Sequence, residues 1–108
     1  MKPKFFYALC LAAGLGCSNQ EAETKAQAEA QKARQAIAAE LHVGSSAAEI
    51  KDFGDRHHWS FGFDEDQARF DANIYTAPGN THDVLVALYV NEKRELIRSE
   101  VKIARTSL

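Results

Sequence analysis

Hydrophobic and polar positions recur with two different periods along the chain. Between residues 18 and 58 the apolar positions are spaced mostly by three or four residues, as on one face of an α-helix. From residue 59 onward they are spaced by two, which is the period of a half-buried strand. The pattern therefore predicts helices first and a sheet afterwards.

Residues 18–40 are predicted to form one helix with a shallow apolar stripe. The segment holds no glycine, proline or aromatic residue, and it is rich in the residue types that favour helices. The stripe consists of Ala22, Ala26, Ala30, Ala33, Ile37 and Leu41. Because alanine buries little area, we interpret residues 17–40 as a solvated helical tether. A coiled-coil or partner-binding helix is the alternative.

A second helix is predicted to begin at Ser46. Ser46 and Glu49 have the spacing of a capping box, in which each side chain accepts a hydrogen bond from a backbone N–H of the other residue. One face of this helix carries Ala47, Ile50 and Phe53. Gly54 weakens the helix, which we expect to end near His58.

Four apolar runs follow and predict four strands. They are "WSFGF" (59–63), "RFDANIY" (69–75), "VLVALYV" (84–90) and "LIRSEVKIA" (96–104). Their core-facing residues are predicted to include Trp59, Phe61, Phe63, Phe70, Ala72, Ile74, Ile97, Val101 and Ile103. The third run is apolar on both faces, which favours a central strand. Pro78 and Gly79 suit the middle of a type II turn.

These elements predict one small α+β domain at residues 41–108. One helix packs on a four-stranded antiparallel meander, and the other face of the sheet stays mostly polar. A chain segment of this length forms one domain, and no internal repeat is present.

Residues 1–16 have the layout of a bacterial secretory signal. Two lysines precede an apolar run that is shorter than a membrane span, and small residues stand at −3 and −1 before Cys17. This resembles the lipobox of bacterial lipoproteins, which implies that Cys17 is diacylated and becomes the N-terminus. Ser18 after it resembles lipoproteins sorted to the outer membrane. Cleavage by ordinary signal peptidase and a retained N-terminal anchor are the alternatives.

Cysteine usage and charge exclude several classes of function. Cys10 lies inside the discarded signal, so lipidation of Cys17 leaves no thiol for a disulfide, a nucleophile or a metal site. Removing Lys2 and Lys4 leaves 11 basic residues against 15 acidic ones, a net charge of −4. This balance argues against a nucleic-acid partner, because basic patches supply most of that affinity.

The residue patterns that carry catalysis or metal binding point to structural roles here. His42, His57, His58 and His82 do not have the spacing of a zinc motif. Residues 64–66 are a polar turn and not a calcium loop, since Arg69 stands where that loop needs glycine. Ser45 and Ser46 are explained as helix caps. We therefore predict no enzyme activity, no metal and no cofactor.

The stretch "VGSSAAEI", placed between a polar spacer and a helix followed by a meander, resembles the SmpA/OmlA (BamE-like) lipoproteins. These are small α+β outer-membrane proteins, and the best-known member is an accessory of the β-barrel assembly machine. Leu41, Gly44, Ser45 and Ser46 correspond to the family's Leu-x-x-Gly-Met-Thr stretch, and Ile50 to a helix valine. The resemblance implies a binding role in envelope assembly.

Three functional hypotheses remain open at this stage. The first is an outer-membrane-anchored, periplasm-facing lipoprotein that binds an envelope protein without catalysis. The second is an immunity or inhibitor lipoprotein against a secreted toxin or hydrolase, and the third is a metal or small-molecule binder. For the first, the predicted partner-binding residues on the open face of the sheet are Tyr75, Tyr89, Arg69 and Arg98, because Tyr and Arg are enriched at interaction hot spots.

Overall fold

Two helices and four strands follow one another in a computed structural model that describes residues 18–106. The helices are α1 (Ser18–Glu40) and α2 (Ala47–His57), and the strands are β1 (Gly62–Asp64), β2 (Arg69–Thr76), β3 (His82–Val90) and β4 (Leu96–Arg105). The strands form one antiparallel sheet in the order β1-β2-β3-β4. The predicted α+β class and the four-stranded meander are confirmed. The predicted signal peptide and Cys17 lie outside the described residues.

The structure corrects the predicted tether, because α1 packs on the sheet. Ala26, Ala30 and Ala33 are completely buried, and the first two cluster with Val84 of the central strand β3. Their small side chains let the helix backbone lie close to the sheet. The interface is therefore well packed, although each alanine buries little area. The domain therefore has two helices on the sheet where the sequence predicts one.

An ion-pair cluster fastens the first turns of α1 to the ends of β3 and β4. Arg105 donates two hydrogen bonds to the carboxylate of Glu23, at 2.8 and 2.6 Å. His82, which is buried, places Nε2 3.0 Å from the same carboxylate. The hydrogen bonds from Arg105 and from Gln27 lower the pKa of Glu23 to about 2.

A second cluster of the same composition fastens the other end of α1 to α2. Glu40 accepts a hydrogen bond from Arg56, and His57 Nε2 lies 2.9 Å from its second carboxylate oxygen. The contact with His57, followed by that with Arg56, lowers the pKa of Glu40. Both ends of α1 are thus held by a glutamate between an arginine and a histidine.

Glu23→Gln is expected to remove a stabilising contribution that depends on pH. The folded pKa of Glu23 is about 2 and its ordinary value is 4.5, so the ion pair contributes fully above pH 4.5. The contribution is lost as the pH falls from 4.5 towards 2. Urea denaturation of both proteins at pH 7, 4 and 2.5 should give a stability difference that shrinks with the pH. A difference that stays constant would contradict this account.

Helix α2 begins as the sequence predicts and closes one end of the core. Ser46 Oγ accepts from the Glu49 N–H at 3.1 Å, and Glu49 accepts from the Ser46 N–H at 2.8 Å, so the capping box is confirmed. Ile50 and Phe53 are fully buried in a cluster with Leu88 of β3. The helix therefore seals the end of the sheet at which β3 finishes.

Two β-bulges, one in β2 and one in β4, change side-chain directions that strict alternation predicts. In β4, Leu96 pairs with Val90 and Arg98 pairs with Tyr89, so Ile97 is the extra residue. Ile97 is 49% exposed and Leu96 is buried, which makes the predicted core position of Ile97 wrong.

The turn after β2 forms as the sequence predicts, whereas strand β1 before it is shorter than predicted. Gly79 has φ 82° and ψ 4°, and the Asn80 N–H donates to the Ala77 carbonyl at 2.9 Å, so the predicted type II turn is confirmed. Strand β1 is shorter than predicted, because Trp59 and Phe61 precede it. Both side chains still pack against the core.

Candidate functional site

Three of the predicted partner-binding residues form one row across the face of the sheet opposite α1. Arg69 of β2 is the cross-strand neighbour of Tyr89 of β3, and Tyr89 is the neighbour of Arg98 of β4. Arg69 donates to the Tyr89 hydroxyl at 3.0 Å. The guanidinium carbon of Arg98 lies 3.7 Å from the centroid of the Tyr89 ring, within cation–π distance. We call these residues the Arg–Tyr–Arg row.

Two carboxylates hold the row in place. Arg69 Nε lies 2.9 and 3.0 Å from the two oxygens of Asp71, and the Tyr89 hydroxyl donates a long bond of 3.4 Å to Glu100. The hydrogen bond to Tyr89, followed by that to Asp71, raises the pKa of Arg69 further above its usual range. Arg69 and Tyr89 are therefore held in place before any partner arrives, which reduces the entropy lost on binding.

A shallow depression lies beside the row on the same face. The next cross-strand row runs from Gly62 through Asp71 and Ala87 to Glu100, so its middle position carries a small side chain. The depression has a volume of about 320 Å³ and reaches Leu85 and Lys102. A flat surface with one recess and fixed arginine and tyrosine groups suits a protein partner.

Tyr75 does not belong to this face. The bulge in β2 shifts the register between Asn73 and Tyr75, so that Tyr75 pairs with the buried Val84. Its ring packs against the cluster of Ala26 and Ala30 under α1. The prediction that Tyr75 lies on the open face is wrong, because one extra residue reverses the alternation beyond it.

A groove of about 780 Å³ between α2 and β2 is the feature that the sequence does not identify. It is lined by half-buried Trp59, Phe61 and Phe70, and Arg94 stands at its rim. The sequence assigns these aromatic residues to the core, but the structure leaves all three half-buried. Trp59 and Phe61 precede β1, and Phe70 lies in β2. Three aromatic residues within "WSFGF" are the one signal that points to this region.

Two histidines of the described residues, His57 and His82, take part in structural contacts with glutamates. His57 stacks on Trp59 with ring centroids 4.9 Å apart, whereas His58 is the exposed residue that ends α2 at φ 60°. Within residues 18–106 no three His, Cys, Asp or Glu side chains are grouped as metal ligands. The same part of the chain contains no helix long and apolar enough to cross a membrane.

The fold and the surface define a small α+β domain that covers one face of a four-stranded antiparallel sheet with two helices and leaves the other face polar. In comparisons with known proteins, no family model, no curated protein and no solved structure matches the chain. Function therefore has to be argued from the surface itself.

Proposed function

We propose that the chain is a lipid-anchored, periplasm-facing lipoprotein that binds a protein partner without catalysis and supports outer-membrane or envelope assembly. The observation that carries this proposal is the Arg–Tyr–Arg row. The guanidinium and phenol groups hold one another in place and present a preformed surface to a protein partner. Trp, Tyr and Arg dominate the binding energy of protein interfaces.

The position of the row relative to the proposed anchor supports the same function. Helix α1 begins at Ser18, directly after the cysteine proposed to carry the lipid, and Glu23 joins its first turns to His82 at the start of β3. Tyr89 lies seven residues further along β3, which is about 20 Å at the rise of a strand. An anchor at Cys17 would thus leave the row on the end of the domain away from the membrane.

Crosslinking in cells tests the proposal. A chain with a C-terminal tag and its native processing is crosslinked, captured and analysed by mass spectrometry. We expect envelope or barrel-assembly proteins to be recovered, and Cys17→Ala to weaken the capture by releasing the chain from the membrane. Stoichiometric recovery of one secreted toxin or hydrolase would instead make this an immunity or inhibitor protein.

Arg98→Ala is expected to reduce capture of the partner, because the row loses the group that covers the Tyr89 ring. Truncation of a hot-spot residue costs more than about 1 kcal/mol, or roughly a factor of five to ten in affinity. The matched control is Lys93→Ala, which removes an exposed cation from the turn before β4. Equal capture by the two variants would show that the row does not contact the partner.

A further inference from the structure

Strand β4 forms an edge of the sheet, and the register shows which of its backbone groups face outward. The Thr106 N–H donates to the Thr81 carbonyl at 2.9 Å, so the backbone of Thr106 directs its hydrogen-bonding groups towards the β3 side. Hydrogen-bonding direction alternates along an antiparallel strand. Residues 98, 100, 102 and 104 therefore bond to β3, and residues 99, 101, 103 and 105 direct N–H and C=O groups away from the sheet.

Part of this edge is already covered. The Leu96 N–H donates to the Ser45 carbonyl at 2.8 Å, and the Gly44 N–H donates to the Leu96 carbonyl at 2.7 Å. Beyond the bulge, one outward-facing backbone group of β4 has a hydrogen bond within residues 18–106: the Val101 carbonyl accepts from Arg34 at 3.1 Å. A run from Ser99 to Arg105 thus remains available for pairing, although proteins usually protect such edges.

The charges along this run are predominantly positive. Arg34, Arg98 and Lys102 have no carboxylate within 4 Å among the described residues, whereas Arg69 and Arg105 each have one and Arg56 has two. Glu100 lies between Arg98 and Lys102 on the same face of the strand. The edge is therefore a basic strip on a chain whose net charge is −2.

We propose that the β4 edge binds an extended, acidic segment of a protein partner as a fifth strand. Two acidic side chains four residues apart would lie opposite Arg98 and Lys102, with a neutral residue opposite Glu100. Backbone pairing supplies affinity in such strand addition, and the side chains supply specificity. The incoming N–H would replace Arg34 at the Val101 carbonyl. This inference rests on the proposed function and names the chemistry of its partner.

A second copy of the chain fits this edge less well than an acidic segment does. Symmetric antiparallel pairing about Val101 would place Glu100 opposite Lys102 of the other copy, which is favourable. The same symmetry brings the two Arg34 side chains together at the axis, because each reaches its own Val101. Two like charges at the centre oppose pairing, whereas an acidic segment brings no cation to Arg34 and places its two carboxylates opposite Arg98 and Lys102.

A synthetic peptide tests the proposal directly. The probe is a fluorescent heptapeptide of threonine and valine that carries two aspartates four residues apart, and its control carries lysine in place of both. Fluorescence anisotropy is measured with the full chain purified in detergent, at low ionic strength. We expect the acidic peptide to bind at least about tenfold more tightly than the lysine peptide, and a higher salt concentration to weaken it.

Two sets of variants separate edge pairing from general charge attraction. Ser99→Pro removes an outward N–H and leaves the bonds to β3 intact, so it should reduce binding at least about tenfold, whereas Ser99→Ala should retain it. Arg98→Gln combined with Lys102→Gln should reduce binding without touching the backbone. Thermal melts of each variant confirm that the fold is kept.

The outcomes are distinct. Binding that survives Ser99→Pro, equal binding of the two peptides, or no binding up to about 1 mM each overturns the proposal. Self-association of the chain that is lost in Ser99→Pro would also overturn it, by assigning the edge to a second copy. An envelope partner captured in cells together with failure of the peptide would leave the proposed function standing and remove only the edge from it.

Discussion

Replacing Ala30 with glutamate is expected to destabilise the domain by about 3 kcal/mol or more, because a charge would be placed in a completely buried interface. Ala30 clusters with Ala26 of the same helix and with Val84 of β3, between α1 and the sheet. The side chains of this cluster and those packed against it are uncharged, so none of them pairs with a carboxylate there. The helix then has to leave the sheet or the carboxylate has to bind a proton, and both cost stability.

The matched control is the same substitution two residues earlier. Ala28 lies on the same helix and is exposed, so Ala28→Glu should change the free energy of unfolding by less than about 0.5 kcal/mol. Urea denaturation of the wild type and both variants measures the difference. If the two variants were equally stable, α1 would behave as the solvated tether that the sequence suggests, and its packing would be refuted.

The tether prediction fails for a reason that lies in packing and not in the sequence pattern. The stripe of apolar positions is read correctly, since Ala26, Ala30, Ala33, Ile37 and Leu41 are all buried. The error comes from judging the stripe by the area of its side chains alone. Small side chains permit a close approach of two backbones, and a single sequence does not show that Val84 and Ile103 will lie beneath them.

The open face shows how much of the site follows from alternation. Tyr89 lies between the buried Leu88 and Val90, and the register of the meander then places Arg69 and Arg98 on either side of it in one row. Tyr75 and Ile97 obey the same alternation in the sequence, yet each stands at a bulge. A bulge adds one residue to one strand only, and neither position carries a glycine or proline that would announce it.

The hydrogen bonds that connect distant segments are likewise absent from the sequence pattern. Glu23 and Arg105 are 82 positions apart, and Arg34 and Val101 are 67 apart. Local signals succeeded where both partners are near in the chain, as in the capping box of Ser46. The sequence shows these charged residues, but which of them hold α1 and which line the β4 edge is known only when the helix is placed on the sheet.

Gly54→Ala is expected to destabilise the domain by about 1–3 kcal/mol, although alanine is ordinarily the better helix former by about 1 kcal/mol. A Cβ at this buried position would lie 2.7 Å from Phe61 Cδ2 and 2.9 Å from the Trp59 carbonyl oxygen. The ring can rotate away, but the carbonyl belongs to the backbone. The Trp59 N–H also donates to the Gly54 carbonyl at 2.8 Å, which holds the two segments together.

The same substitution at Gly62 provides the control for this close approach. A Cβ at Gly62 has no atom within 4 Å, so Gly62→Ala should leave the free energy of unfolding within about 0.5 kcal/mol of wild type. Urea denaturation compares the three proteins. A Gly54→Ala variant more stable than wild type would mean that helix propensity outweighs the contact. The expected loss instead makes Gly54 the residue that lets the aromatic segment lie against α2, and so shapes the groove beside it.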